Sequence, residues 1–229
     1  MLLLFSGIIF MLCLPLSVVR AADVRDALIY KMEILIPPKE GRDETADIQQ
    51  IKKTVANLKD IAVIFAFKEL GSPRIVLVLE VEKACSWPQL TSFLSQKGYE
   101  YSVVPLSRCS DYAYELGVEL SDDLWTYSFK DETLTMATQI FPVGDLTTIE
   151  YDERLKMTFE QDIAILKTGQ TGACFRVLAE YPVKLVYFAP ISPTQARALE
   201  HFLQAPGIYE NEDRRIENLA SYSAVCQGD

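Results

Sequence analysis

Moving a proton on a small organic molecule needs a carboxylate or imidazole held away from bulk water beside a polar group that orients it. Lys31 and Glu33 alternate with Tyr30, Met32 and Ile34 in an apolar stretch, so a period of two puts them on one face with Leu35. A carboxylate in such surroundings is a candidate base with a raised pKa; the other reading is a Lys31-Glu33 face that is either solvated or paired. Arg176 and Glu180 share a face by the same period, and Tyr187 lies on the next stretch. Arg176 is a candidate bidentate clamp for a ligand carboxylate, or else the internal partner of Glu180. His201 is the sole histidine, and its ordinary pKa suits a proton shuttle near neutrality. Its place beside Glu200, off the Leu199 and Phe202 stripe, points instead to the surface. Glu33 and His201 are thus the candidate catalytic residues, with Lys31, Arg176, Glu180 and Tyr187 as candidate ligand contacts.

Other chemistries lack a motif. There is no Ser-His-Asp arrangement, no glycine-rich phosphate loop and no second histidine for a metal, so the sequence reading includes no metal site. A net charge of -10 repels nucleic acid and anionic lipid. The apolar run Met1 to Pro15, followed by Val19-Arg20-Ala21, reads as a signal peptide over 1-21 cut after Ala21, with an uncleaved anchor as the other reading. Cleavage removes Arg20 alone among charged residues and leaves -11 on a secreted, extracellular protein without a membrane segment. Cys13 leaves with the signal. Cys85, Cys109, Cys174 and Cys226 remain, an even set for two disulfides in an oxidising compartment, or packed thiols as the alternative.

The elements that must hold these residues read as one pattern used twice. A strand over 28-36 ends at Pro37-Pro38, and a helix with Ile48, Ile51, Val55 and Leu58 inward follows, capped by Asp43 or Thr45. Strands at 61-67 and 74-81 flank Gly71-Ser72-Pro73; Ser86-Trp87-Pro88-Gln89 reads as a capping box before a second helix, and 99-104 is the closing strand. In the second half a strand over 133-141 ends at Pro142, and a long helix aligns Leu155, Phe159, Ile163 and Leu166. Strands at 173-179 and 183-189 follow. Ser192-Pro193-Thr194-Gln195 again reads as a capping box, before a stripe of Ala196, Leu199, Phe202 and Leu203 and a last strand near 215-223. The order is βαββαβ twice, in units 22-106 and 132-229. The connector 107-131 is aromatic and acidic, with Trp125, Tyr127 and Phe129 alternating as a short strand would.

One such unit is the ferredoxin-like pattern, and two in tandem resemble the dimeric α+β barrels, an α+β class in which paired sheets surround an interior. Residues 198-206 (Ala-Leu-Glu-His-Phe-Leu-Gln-Ala-Pro) with 216-219 (Ile-Glu-Asn-Leu) look like the second helix and last strand of the muconolactone isomerase family. That resemblance implies a small, apolar or oxygenated ring compound as partner and an isomerase-type activity with no cofactor. It also implies a monomer that forms a pseudo-dimer within itself. Heme held by His201 is a further possibility that the superfamily resemblance brings. In the barrels resembled, the last strand of one unit lies antiparallel to the second strand of the other, which implies disulfides Cys109–Cys174 and Cys85–Cys226. The competing class is a non-catalytic secreted carrier or structural module.

Overall fold

A computed structural model describes residues 28–120, 124–126, 128–129, 133–190 and 210–222. The first half runs β1 (Leu28–Leu35), α1 (Glu44–Val55), β2 (Ile61–Glu69), β3 (Arg74–Val81), α2 (Pro88–Lys97) and β4 (Glu100–Arg108). The second contains α3 (Cys109–Glu115), β5 (Thr133–Ile140), α4 (Thr148–Leu166), β6 (Ala173–Val177), β7 (Lys184–Ala189) and β8 (Glu210–Asn218). The eight strands close an antiparallel barrel in the order β1-β3-β2-β8-β5-β7-β6-β4. Each half therefore supplies four neighbouring strands in the same relative order, and the halves meet at two seams. Both seams are short: β2 meets β8 from Phe67↔Asn218 to Glu69↔Ile216, and β4 meets β6 from Leu106↔Val177 to Arg108↔Phe175. Among the described residues, no helix is long and apolar enough to cross a membrane.

Local chemistry explains most of the boundaries. Asp43 caps α1 by accepting from the Ala46 amide at 3.2 Å, and Thr147 with Glu150 forms a reciprocal capping box at the start of α4. The box expected at Ser86 does not form. Ser86 is buried in a 3-10 turn, and Gln89 instead exchanges hydrogen bonds with the Lys59 backbone, 3.0 Å each way. β4 continues past 104 to Arg108, two residues into the expected connector, and the helix α3 follows it where no element was expected. Residues 124–126 and 128–129 of the expected aromatic strand carry no strand structure. The last strand lies earlier than 215-223, because residues 210 to 217 pair in unbroken register with β5. The second capping box, the helix after it, Tyr127 and the signal segment lie outside the described residues.

Three apolar layers result. Pleat alternation sends Ile29, Phe65, Phe67, Val76, Val78, Met136, Phe175, Phe188 and Ile216 into the barrel, where all are nearly fully buried. The rings of Phe65 and Phe67 lie 5.5 Å apart by centroid, and each lies 5.3 to 6.4 Å from those of Phe129 and Phe188, so the enclosed interior is a packed core. Each buried Phe contributes about 2–3 kcal/mol in transfer free energy. Outside the first half, α1 and α2 cover Met32, Ile34, Ile75, Leu77 and Leu79. Outside the second, α3 and α4 cover Cys174 and Leu185 with Tyr112, Trp125, Leu155 and Phe159.

The β4–β6 seam is also covalent. Cys109 and Cys174 form a disulfide with Cα atoms 5.3 Å apart, as the barrel resemblance implied. Cys85 carries a free, exposed thiol, and its expected partner Cys226 lies outside the described residues. With a sequence separation of 65, the chain-entropy estimate for this crosslink is about 4 kcal/mol. Replacing both cysteines by alanine is expected to lower the unfolding free energy by about that amount, read by urea denaturation, and non-reducing peptide mapping should recover the Cys109–Cys174 peptide. Unchanged stability, or a map joining Cys109 to Cys85, would show that the seam does not depend on this bond.

Candidate functional site

Lys31 and Glu33 project into the barrel on the Ile29 side of β1, near one mouth. On the neighbouring strands the same alternation brings in Arg74, Glu69 and Arg214. The two carboxylates and two guanidiniums form a closed square. Arg214 Nη1 lies 2.9 Å from Glu33 Oε2 and 3.7 Å from Glu69 Oε2, while Arg74 reaches the same two oxygens at 3.6 and 3.2 Å. Lys31 donates to Glu33 Oε1 at 2.9 Å, and Arg214 also holds Glu212 at 2.8 Å. Burial alone would raise the Glu33 pKa, but Lys31 and Arg214 outweigh it and hold the carboxyl below its ordinary 4.5. The expectation of a raised-pKa base at Glu33 is therefore corrected: the paired reading of Lys31 and Glu33 prevails, and the pairing extends over four strands.

The other candidates lie on the opposite side of the sheet. Arg176 does not pair with Glu180. Its guanidinium stacks 3.7 Å from the centroid of the Tyr112 ring and stands 3.7 Å from Glu115, both on α3, whereas Glu180 is bound by Lys184. Tyr187 donates its hydroxyl hydrogen to Asp162 Oδ2 at 2.7 Å, and its ring lies 6.1 Å from that of Trp125. So Lys31 and Glu33 stand inside the barrel, Arg176 and Tyr187 stand outside it, and the fold does not combine them. His201 lies outside the described residues.

Asp162 is the residue that the sequence reading missed. α4 is fixed to the sheet by Tyr151, whose hydroxyl donates to the Phe141 carbonyl at 2.8 Å and accepts from the Val183 amide at 3.0 Å. Eleven residues on, Asp162 occupies the same helix face. The residue keeps some exposed surface, but the carboxyl itself is enclosed, and those immediate surroundings set its proton affinity. Desolvation pushes its pKa up to about 7, partly offset by the Tyr187 hydrogen bond, which favours the anion. A signal was present: Asp162 follows Phe159 by three and precedes Leu166 by four, placing an acid inside the apolar stripe.

No known family pattern matches this chain, and no curated protein is detectably similar to it in sequence. Solved structures are similar in fold. A chlorite dismutase mutant from Candidatus Nitrospira defluvii superposes with a TM-score of 0.56 at 9% identity, over 85% of this chain and 93% of that one. A candidate monooxygenase from Fusobacterium nucleatum gives 0.51 at 8% identity, over 84% and 93%. These are dimeric α+β barrel proteins, and the likeness is one of fold.

The pKa values of the two carboxyls are shifted in opposite directions, up for Asp162 and down for Glu33. Carbon-13 NMR of the Asp162 carboxyl is expected to show a midpoint near 7, and a midpoint near 4 would remove it from consideration as a proton-transfer group. Because the folded protein binds this proton more tightly than the unfolded chain, the stability it confers is full below about pH 4 and declines as pH rises towards 7. Asp162→Asn should abolish that decline. For Glu33 the sign reverses: its contribution is present above about pH 4.5 and disappears as pH falls through the lowered folded value. Glu33→Gln leaves Lys31 and Arg214 short of a counter-charge and should cost about 3 kcal/mol at pH 7, measured by denaturant unfolding; a loss under about 0.5 kcal/mol, the range of an ordinary surface change, would show the square to be energetically idle.

Proposed function

We propose that this chain is a secreted barrel protein that binds a small, largely apolar, oxygenated ring compound on the outer face of its second half and isomerises it by proton transfer at Asp162. The observation that carries this reading is the 2.7 Å Tyr187 to Asp162 hydrogen bond together with a carboxyl pKa of about 7. A group poised near ambient pH can both take and return a proton efficiently. The Asp162 carboxylate removes a proton from the carbon between a carbonyl and a carbon-carbon double bond, the electron pair moves into the resulting dienolate, and the Asp162 carboxyl, after exchange with solvent, delivers a proton to the far end of the conjugated system as the double bond shifts next to the carbonyl. Atoms and charge balance without a cofactor. Tyr187 holds the carboxyl in position and stabilises its anion, and Trp125 and Phe159 supply apolar surroundings. The equal strand order of the two halves supports a further part of the reading, that the barrel arose from tandem ferredoxin-like units and is a pseudo-dimer within one chain. The names of the similar structures, a chlorite dismutase and a candidate monooxygenase, support small-molecule chemistry on this fold.

The apolar character of the surroundings favours a second reading, a non-catalytic carrier for the same class of molecule. One experiment separates the two. Native mass spectrometry of the full chain purified from its source is expected to show an added small-molecule mass that denaturation releases, and that molecule, isolated and returned to the protein in D2O, should acquire deuterium. Exchange that is lost in Asp162→Asn while the added mass persists supports the isomerase. Retained mass without exchange in the unaltered protein identifies a carrier, and an absence of any added mass overturns both readings.

A further inference from the structure

On the other side of α4 from Asp162, the segment after α3 turns at Gly117, whose φ is +74°, a value that favours glycine. The turn leaves an open cleft of about 720 Å³ lined by Tyr114, Val118 and Leu120, which continues into a recess of about 360 Å³ floored by Val118 and Ile163. Two ammonium groups, Lys156 and Lys167, and two carboxylates, Glu119 and Glu160, line that recess. None of the four makes an ion pair within 4.0 Å among the described residues. Lys156 and Glu160 stand at the i, i+4 spacing that makes helical side chains neighbours, though with the base first, the less favourable order, and the two charges stay apart. The Lys156 ammonium instead lies over Gly117, 3.8 Å from where a Cβ would stand.

We propose that this cleft binds a small zwitterion with an apolar body, of the α-amino-acid kind. A lone carboxylate ligand would be drawn to the lysines but repelled by Glu119 and Glu160, and a lone amine would meet the reverse. A ligand carrying both charges satisfies both pairs of groups, and Tyr114, Val118 and Ile163 take its side chain. This site is separate from Asp162 and stands whether or not that residue transfers protons.

The test is a ¹H-¹⁵N NMR titration of the full chain with L-phenylalanine, compared with 3-phenylpropanoate and phenethylamine, which each lack one charge. Saturable shifts at the amides of Gly117, Val118 and Ile163 are expected with L-phenylalanine, with binding about tenfold weaker for either analogue, the loss of one charge-assisted hydrogen bond. The Lys156→Gln, Glu160→Gln double variant should lose the preference for the zwitterion while keeping its fold, read from the remaining amide shifts. Three results would overturn the proposal: a water-filled groove that shows no shifts, equal binding of all three compounds, or an unchanged preference in the double variant.

Discussion

The square formed by Glu33, Glu69, Arg74 and Arg214 is the constraint on which the barrel depends. β8 has the sequence Glu-Asn-Glu-Asp-Arg-Arg-Ile-Glu-Asn, with little apolar surface to hold it in place. Its interior alternation places Arg214 and Ile216 against a phenylalanine core, which an unpaired guanidinium could not tolerate. Glu33, 181 residues earlier on β1, supplies the charge that makes it tolerable. Buried ion networks add little net stability compared with apolar packing, but a wrong pairing is severely penalised. A slip of one residue in β8 would turn Arg214 and Ile216 outward together, putting Asp213 beside Glu33 and Glu69 in one direction and, in the other, Arg215 there with Glu217 in place of Ile216 in the apolar core. The eight-residue ladder to β5 fixes β8 on one side; on the other, where the hydrogen-bonded seam to β2 spans only three residues, this electrostatic match reinforces the register.

That dependence explains which parts were legible in the sequence. Strands with a marked pattern, alternating in β1 and an unbroken apolar run in β3, lie close to where that pattern puts them, and Asp43 and Pro142 mark real ends. β8 was displaced by about five residues in the reading because its inward positions are charged, and hydrophobic periodicity cannot see a strand whose burial is paid for by distant partners. Ser86 failed as a cap because tertiary packing buried it and gave Gln89 a backbone partner at Lys59. The helix α3 was hidden because Tyr112, Arg176 and the disulfide, all long-range contacts, hold a segment whose own residues read as a connector.

For the candidate site, the sequence supplied Tyr187 but not its partner. Lys31 and Glu33 drew notice as charges in an apolar strand, and that same feature proved structural, because they neutralise each other and two further strands bring Arg74 and Arg214 to Glu33. Asp162 drew none, since a single acid in a long amphipathic helix is easily overlooked. Its distinction lies in its perturbing groups: where Glu33 has the cations Lys31 and Arg214, Asp162 has, among the described residues, the Tyr187 phenol. The difference between a structural and a reactive carboxylate here is thus the company each keeps across the sheet.

The Cys109–Cys174 bond has a mechanical meaning as well. It short-circuits the chain, so a force applied to the two ends passes through the crosslink and bypasses everything between. α3, β5 and α4, and with them Asp162, sit inside this untensioned loop. The stretch spared is about 65 residues, or some 220 Å of extended chain. A protein pulled across a membrane or along a surface would surrender its first four strands, β6 beyond Cys174, β7 and β8 while this inner segment remained slack.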